Sequence, residues 1–367
     1  MEATRGSYTE AAAAIRRATG VGLGKRQLET LAARAAVDFE SFYAQRAAPA
    51  AEASDALIIS ADGKGIVMRP DALRPATAQA ARTSATKLAT RLSKGEKRNR
   101  KRMAELAAVY DLAPLPRTPA DILPAGQRTD PPPPAPVATN KWITASVVDD
   151  AARVIAAAFT EAARRDPDHA RRWVALVDGN NHQIDRIRAE AKARGVTVTI
   201  LVDFIHVLEY LWGAAWCFHH EGDPAAERWV REKAIAVLAG QAGIVAAAIR
   251  RTATRRHLDT RTRAKADTAA DYLHRKRGYL DYPTALAEGW PIATGIIEGA
   301  CRHIVRDRMD VTGARWGLYG AEAILKLRAI RANGEWADYW RYHLKQEHRR
   351  LHESRYADGV IPSARAA

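Results

Sequence analysis

The sequence predicts an α/β fold in which helices flank a mixed five-stranded sheet. Three observations carry this prediction: a β-type period begins at Ala56, helix and strand patterns alternate between Asp149 and Asp203, and only helical patterns run from Phe204 to about Gly278. Alternation of helix and strand indicates parallel pairing of the last strands. The order therefore predicts three antiparallel strands, two further strands in parallel pairing, an all-helical insertion and a final core helix.

Composition restricts the function classes. The chain has 367 residues with 57 Lys or Arg and 42 Asp or Glu, a formal net charge of +15. A surplus of this size favours a polyanionic partner, most often nucleic acid. Only Cys217 and Cys301 occur, which excludes a disulfide scaffold and favours the cytoplasm. No signal-peptide pattern is visible, and the longest apolar stretch, 234–249, is too short to span a bilayer. We expect a buried helix there and no membrane partner.

Residues 1–50 are predicted to form a small helical hairpin. A helical period covers 8–19, glycines at 20, 22 and 24 break it, and a second helical period covers 25–43. This pattern resembles a helix-turn-helix pair that docks on DNA. A plain helical hairpin that packs on the rest of the chain explains it slightly better, because no base-reading residue can be identified.

The first part of the core is assigned to 54–206. A strand begins at Ala56 and continues to Met68, and a basic loop over 82–102 carries nine Lys or Arg and one Glu. The stretch 103–112 is predicted as a strand, although its alanines also suit a helix. A loop over 113–136 holds nine of the 17 prolines. A third strand is predicted over 141–148.

The remaining elements follow from the same periods. We assign 207–290 to a helical insertion, 291–356 to the last core helix and C-terminal helices, and 357–367 to a tail. The elements predicted from 149 onward are a helix over 149–165, a strand over 173–178, a helix over 182–194, a strand over 196–203, a core helix over about 294–308, and two closing helices around 319–332 and 335–353.

Three acidic residues lie at positions where such a sheet could form a reactive site. Asp62 and Asp178 follow apolar strand patterns, and Glu298 lies in an apolar helical stretch. Each Asp taken alone is typical of a helix cap or a turn. Glu298 should be costly to bury unless it is paired, with Arg302 as one candidate partner, or bound to a metal. As a set, the three carboxylates predict a site for a hard divalent cation.

A fourth feature is the pair Asp203 and His206, which follows the next predicted strand. Asp203 is expected to cap the helix that begins at Phe204, and His206 to be a buried, hydrogen-bonded histidine. Neither expectation excludes a role in the site.

Four stretches together resemble a known family. They are ISADGKGIVMRP, WVALVDGNN, VTILVDFIHVLEYLW and PIATGIIEGACRHIVRDRMDVTGARWGLYGAEAILKLRAIRANGEWADYW. The chain resembles the DDE-type insertion-sequence transposases of bacteria, in the branch similar to Mutator and Kra-type elements. The resemblance implies a ribonuclease-H-like core and cleavage and strand transfer at element ends. It also implies two Mg²⁺ or Mn²⁺ ions.

The resemblance also implies residue roles. The catalytic and metal-binding acids fall on Asp62, Asp178 and Glu298, and the family's Asp-x-x-His element falls on Asp203 and His206. Asp203 is an alternative second catalytic acid. Relatives usually carry a longer helical region before the core, so a truncated or inactive DNA-binding remnant or regulator is the alternative function. A cellular nuclease of the same fold, such as a junction resolvase, is a third.

The implied partners are double-stranded DNA, both terminal inverted repeats and target, and further copies of the chain in a dimer or higher oligomer. Basic clusters suit phosphates, and Trp316 suits base stacking or, equally, packing. The predicted DNA contacts are Lys94, Lys97, Arg98, Arg100, Lys101, Arg102, Arg250, Arg251, Arg255, Arg256, Arg302, Arg315 and Trp316, with Arg261 and Arg263 in the same cluster.

Two further patterns are interpreted as structural. The aromatic residues Trp336, Tyr339, Trp340 and Tyr342 have the spacing of a helix face and are expected in the core. Cys217 with His219 and His220, and His343 with His348 and His352, are each confined to one predicted helix. Neither run has a second ligand pair, so we do not expect zinc.

Overall fold

An open mixed sheet of five strands, in the order β3–β2–β1–β4–β5, forms the centre of the protein. The structure is a computed structural model and describes residues 1–83, 100–124, 135–311, 313–353 and 356. The strands are β1 (Ala56–Val67), β2 (Lys101–Leu112), β3 (Ala138–Ser146), β4 (Trp173–Val177) and β5 (Val198–Val202).

The strand directions confirm the predicted pairing. β2 runs antiparallel to both β1 and β3, whereas β4 runs parallel to both β1 and β5. The β1–β2 ladder is long and extends from Ala56 opposite Leu112 to Val67 opposite Lys101. The β1–β4 ladder is short and ends where Ser60 lies beside Leu176. The outer half of β1 therefore projects beyond its parallel neighbour.

The predicted strand over 103–112 is confirmed in spite of its helix-favouring alanines. Ala104, Ala107 and Ala108 are fully buried in β2. The position of β2 between β1 and β3 decides the conformation here, and small side chains let a helix pack closely on the strand.

Helices account for most of the remaining described chain. Those before β4 are α1 (Glu2–Arg5), α2 (Tyr8–Thr19), α3 (Lys25–Ala35), α4 (Phe39–Gln45), α5 (Pro75–Thr83), α6 (Pro119–Ile122) and α7 (Ala151–Arg165). Those after β4 are α8 (Asn181–Arg194), α9 (Phe204–Ala215), α10 (Pro224–Leu238), α11 (Ala242–Arg255), α12 (Thr260–Lys276), α13 (Tyr282–Ala287), α14 (Gly295–Ala300), α15 (Asp307–Met309), α16 (Leu318–Ala332) and α17 (Trp336–Leu351).

The N-terminal helices pack on the rest of the chain. A capping box between Ser7 and Glu10 begins α2, and α3 buries Leu28 and Ala32 and contacts α16. The single helix expected over 25–43 is wrong: the chain leaves α3 after Ala35 and starts α4 at Phe39. Between them, the Asp38 carboxylate accepts hydrogen bonds from Arg350 of α17.

The buried helix expected over 234–249 is also wrong, because two helices share that stretch. α10 ends at Leu238 and α11 begins at Ala242. Gly240 has a φ of +81°, the left-handed conformation in which glycine commonly ends a helix. None of the helices in the described ranges is both long and apolar enough to cross a bilayer.

The predicted core helix over 294–308 is present, but its central part is π-helical instead of α-helical. α14 continues into a π-helical segment, Cys301–Arg306, and then into α15. α14 and the π-helical segment both contact β1, and α14 also contacts β2. A π-segment changes which side chains lie one turn apart, and such segments often occur at functional sites.

Candidate metal centre

The sheet register brings three aspartates to neighbouring positions. The β1–β4 ladder ends with Ser60 beside Leu176, and Asp62 and Asp178 each follow two residues later on their strands. Continuing the β4–β5 ladder one residue past Val177 and Val202 sets Asp178 beside Asp203. Neighbouring strands lie about 4.8 Å apart, and side chains in register face the same side. The carboxyl ends of the parallel strands therefore form an acidic edge.

Three side chains converge at this edge. Ligand atoms of Asp203, His206 and Glu298 all lie within 4.8 Å of one another. Asp203 is fully buried, and its Oδ1 accepts a hydrogen bond of 2.7 Å from the backbone N–H of Ile205. This cap fixes the start of α9, whose first turn carries His206. Glu298 reaches the group from α14.

Thr294 joins the two carboxylates and was not found from the sequence. Its buried hydroxyl hydrogen-bonds the Asp203 carboxylate and lies 3.3 Å from Glu298 Oε1. Thr294 stands at the start of α14 but makes no side-chain cap there. A threonine immediately before a helix normally indicates a cap, so the sequence carried no signal for this other role.

The electrostatics of the group fit a cation. Burial and the neighbouring Asp203 carboxylate raise the pKa of Glu298, with Thr294 and His206 opposing the shift. His206 Nδ1 is buried and has no hydrogen-bond partner among the described residues. Two carboxylates held together and an imidazole nitrogen without a partner would all be satisfied by one divalent ion. The imidazole suits Mn²⁺ or Zn²⁺ better than Mg²⁺, which prefers oxygen ligands.

Asp62 lies inside β1 and has other partners. Its Oδ1 accepts the Gly63 N–H at 2.6 Å, and the Cys301 thiol donates to its Oδ2 at 3.2 Å. Burial and the Asp62 charge raise the pKa of Cys301. Burial also raises the pKa of Glu105, opposed by Arg74 and reinforced by Asp62. Asp62 therefore belongs to an adjoining acidic pair that contacts the helix carrying Glu298.

Asp178 adopts the turn role that an Asp-Gly pair indicates. Its Oδ1 accepts a hydrogen bond of 2.7 Å from Asn180 N–H, and its backbone carbonyl accepts one of 3.0 Å from the Tyr272 hydroxyl. Gly179 has a φ of +92°, and a Cβ there would meet that hydroxyl at 2.7 Å. The strand end and α12 are thus held together at Asp178.

The structure brings together a different subset of acids from the one preferred on sequence grounds. Among the described residues, the group with metal-ligand spacing is Asp203, His206 and Glu298, and the Asp62 and Asp178 carboxylates stay outside it. Glu298 as a residue is exposed, so its carboxylate is only partly buried and bears only part of the cost of burial. Arg302 is exposed and makes no ion pair with it, because the π-helical segment begins between them. The cap by Asp203 is confirmed, whereas the hydrogen bond expected for the His206 ring is missing at Nδ1.

The predicted DNA contacts fall into three sets. Lys94, Lys97 and Arg98 lie outside the described residues. Arg102 and Arg256 are held by backbone carbonyls of Val147 and Phe218, respectively, and Arg250 pairs with Asp271. Arg100 is half-buried. The exposed residues that remain available for phosphates are Lys101, Arg251, Arg255, Arg302 and Arg315.

Trp316 packs in the core, so the packing alternative is the one observed. It is 6 % exposed, its indole N–H donates to the Met309 carbonyl at 3.0 Å, and the Arg308 guanidinium lies 4.7 Å from its ring centroid. In α17, Tyr339 is fully buried as expected, but Trp340 is exposed. His343 contacts Asp38 at 2.7 Å instead of a ligand set. Among the described residues, the group with metal-ligand spacing includes neither Cys217 nor any of the histidines of these two runs.

Glu298→Gln is expected to raise the thermal stability of the metal-free protein at neutral pH. Because the folded-state pKa of Glu298 is raised, its ionised form beside Asp203 opposes folding, and this penalty grows as pH rises through the folded pKa. Below about pH 4 the glutamate is protonated in both states, and the advantage of Gln disappears. Melting curves in EDTA at pH 7.5 and at about pH 4 check this. A variant that melts below wild type at pH 7.5 would contradict the electrostatic account.

Comparisons with known proteins found no relative of this chain. Neither a family model, nor a curated protein, nor a solved structure matches the chain. The function of the chain is therefore inferred from this site and the sequence that builds it.

Proposed function

We propose that this protein is a metal-dependent DNA transposase that cleaves and joins strands at insertion-sequence ends on a ribonuclease-H-like core. The observation that carries the proposal is the group Asp203, His206 and Glu298 at an acidic edge that also holds Asp62 and Asp178. The open mixed sheet of five strands, in the order β3–β2–β1–β4–β5, is compatible with such a core. The resemblance of the four sequence stretches supports the same assignment.

The residues have separable tasks in this proposal. Asp203 and Glu298 would hold a divalent cation through oxygen, and His206 would hold it through nitrogen. Thr294 keeps the two carboxylates in one orientation. When bound, such an ion activates water or a 3′-hydroxyl and stabilises charge on the phosphoryl group. In the proposal, Asp62, whose Oδ2 accepts a hydrogen bond from the Cys301 thiol, would contribute to a second set of oxygen ligands.

The charge of the chain supports DNA as the substrate. A net charge of +15 attracts a polyanion, and exposed arginines such as Arg302 and Arg315 belong to the segment that follows Glu298. We propose double-stranded DNA, as element ends and as target, with a dimer or higher oligomer of the chain assembled on it.

A cleavage assay tests the proposal. Labelled duplexes that carry the element's terminal inverted repeats are incubated with wild type in Mg²⁺, in Mn²⁺ and in EDTA. We expect strand cleavage that needs the metal, faster with Mn²⁺ because of the imidazole ligand. Glu298→Gln should lose cleavage while retaining DNA binding, and Glu221→Gln, an exposed glutamate of the insertion, is the matched control.

Two outcomes would redirect the assignment. Full cleavage by Glu298→Gln would contradict the assignment of Glu298 to the catalytic metal centre. Metal-dependent DNA binding without cleavage in wild type would instead favour a regulator or remnant that occupies element ends.

A further inference from the structure

Two adjoining cavities form a groove between α9 and α12 that begins at the metal centre. The smaller, about 430 Å³, is lined by His206, and the larger, about 730 Å³, extends to Gly179 and Lys276. They share Tyr210 and Thr268, so they form one continuous path. We call this path the α9–α12 groove. Each cavity has the volume of a small-molecule site, which suits a nucleotide.

Lys276 gives the far end of the groove a buried positive charge. The residue is 8 % exposed, and its ammonium hydrogen-bonds the neutral side-chain oxygen of Asn181. It makes no ion pair with a carboxylate of the described residues, although Asp178 and Asp185 lie near enough to favour its charged form. Burial lowers the pKa of Lys276 in opposition to these two acids. Besides Asn181, the ammonium lies 6.0 Å from the centroid of the Tyr279 ring. A buried ammonium without a direct carboxylate partner among the described residues would be stabilised further by an anionic ligand.

The charged side chains that line the groove are four cations and three acids: Arg188, Lys265, Arg275 and Lys276 against Asp185, Glu209 and Asp271. Asp271 is shared by Arg250 and Arg275, so its charge is already compensated. Arg188 lies over the Tyr279 ring, with its guanidinium carbon 5.2 Å from the centroid. Lys265 is exposed at the end of the groove nearer His206. Positive groups therefore occur at both ends of the path.

Aromatic rings line the groove between these charges. Tyr210 and Tyr272 stack with centroids 3.9 Å apart and planes at 19°. The Tyr272 hydroxyl is already bonded to the Asp178 carbonyl, which fixes the pair at the strand end. Rigid aromatic faces between cations are the arrangement by which proteins bind unpaired nucleotides, with rings against bases and cations against phosphates.

We propose that the α9–α12 groove binds one DNA strand as it leaves the metal centre, with phosphodiesters at Lys265 and Lys276 and bases against the Tyr210 ring. This inference rests on the proposed function and specifies the form of its substrate: a single strand separated from its complement next to the reacting phosphate.

Fluorescence anisotropy in EDTA tests the groove without requiring activity. The probe is a labelled 20-nucleotide oligothymidylate, and the variants are Lys265→Gln, Lys276→Gln and the double variant. Each lost phosphate contact should weaken binding about fivefold at 0.1 M salt and reduce the slope of log affinity against log salt by about 0.7. Lys345→Gln, an exposed lysine of α17, is the matched control and should bind as wild type does. Because Lys265 is exposed, Lys265→Gln is expected to fold normally. If Lys276→Gln unfolds, the Lys265→Gln variant still tests the groove.

The results separate this inference from the proposed function. If Lys265→Gln and the double variant bind the single strand with unchanged affinity and unchanged salt slope, the proposal that the α9–α12 groove binds a DNA strand is overturned. This holds whatever the cleavage assay gives. Reduced affinity in both, together with no cleavage by wild type, would retain the groove as a strand-binding site and overturn the transposase assignment.

Discussion

Asp203→Asn is expected to abolish binding of a divalent ion at the metal centre. Asp203 supplies a fully buried carboxylate, and its replacement leaves one ionised ligand and one imidazole. Wild type at a free Mn²⁺ concentration of about 100 Kd should gain about 2.7 kcal/mol in its free energy of unfolding. The variant should gain less than about 0.5 kcal/mol, the range of an inert surface change. Cleavage of DNA should fall about a thousandfold, which corresponds to about 4 kcal/mol of barrier.

Asparagine is the informative substitution because it retains the helix cap. Its side-chain oxygen can still accept the Ile205 N–H, so α9 should begin normally. Chemical denaturation with and without Mn²⁺ measures the gain. Asp168→Asn, at an exposed position between α7 and β4, is the control and should respond to Mn²⁺ as wild type does. Equal stabilisation of Asp203→Asn and wild type would show that Asp203 is not a ligand.

Asp111→Ala is expected to destabilise the fold by about 3–5 kcal/mol. Asp111 lies in β2 with no exposure, where its carboxylate contacts Arg171 at 2.7 Å and Arg165 at 3.4 Å. Asn140 adds a hydrogen bond of 2.8 Å. Removing the carboxylate leaves two buried guanidinium groups with less compensation. Glu161 still pairs with Arg165, but it is shared with Arg164.

Urea unfolding measures this loss. The control is Asp338→Ala, which removes an exposed ion pair of 3.3 Å with Arg341 and should cost no more than about 1 kcal/mol. A cost for Asp111→Ala within the range of that control would mean that the buried charges are compensated by other groups.

Local pattern was sufficient to predict most of the sheet. The apolar run from Ala56, the strand before Asp178 and the strand before Asp203 were each located within two residues of their observed bounds. Long amphipathic periods likewise located α2, α7 and α8. Predictions failed where one residue's conformation or a distant partner decided the outcome, as at Gly240 and at Asp38, which is held by Arg350.

In the candidate site, too, the local pattern predicted the residues, and distant contacts decided which of them come together. Asp203, His206 and Glu298 were all singled out from the sequence, but the grouping preferred there was Asp62, Asp178 and Glu298. Each of the three aspartates follows an apolar strand pattern in the sequence, so nothing local distinguishes which of them Glu298 approaches. The short β1–β4 ladder, the cap of α9 and the hydroxyl of Thr294 make that choice.

By itself, the sequence determined the order and type of the strands, the positive charge, and the set of acids available at one edge of the sheet. These are local properties, since periodicity and composition are properties of neighbouring residues. Only the tertiary structure decided which acids meet, that Trp316 is buried, and that Lys276 ends a groove leading from His206. Those outcomes depend on contacts between residues far apart in the chain, and the packing of α9, α12 and α14 against the strand ends fixes them.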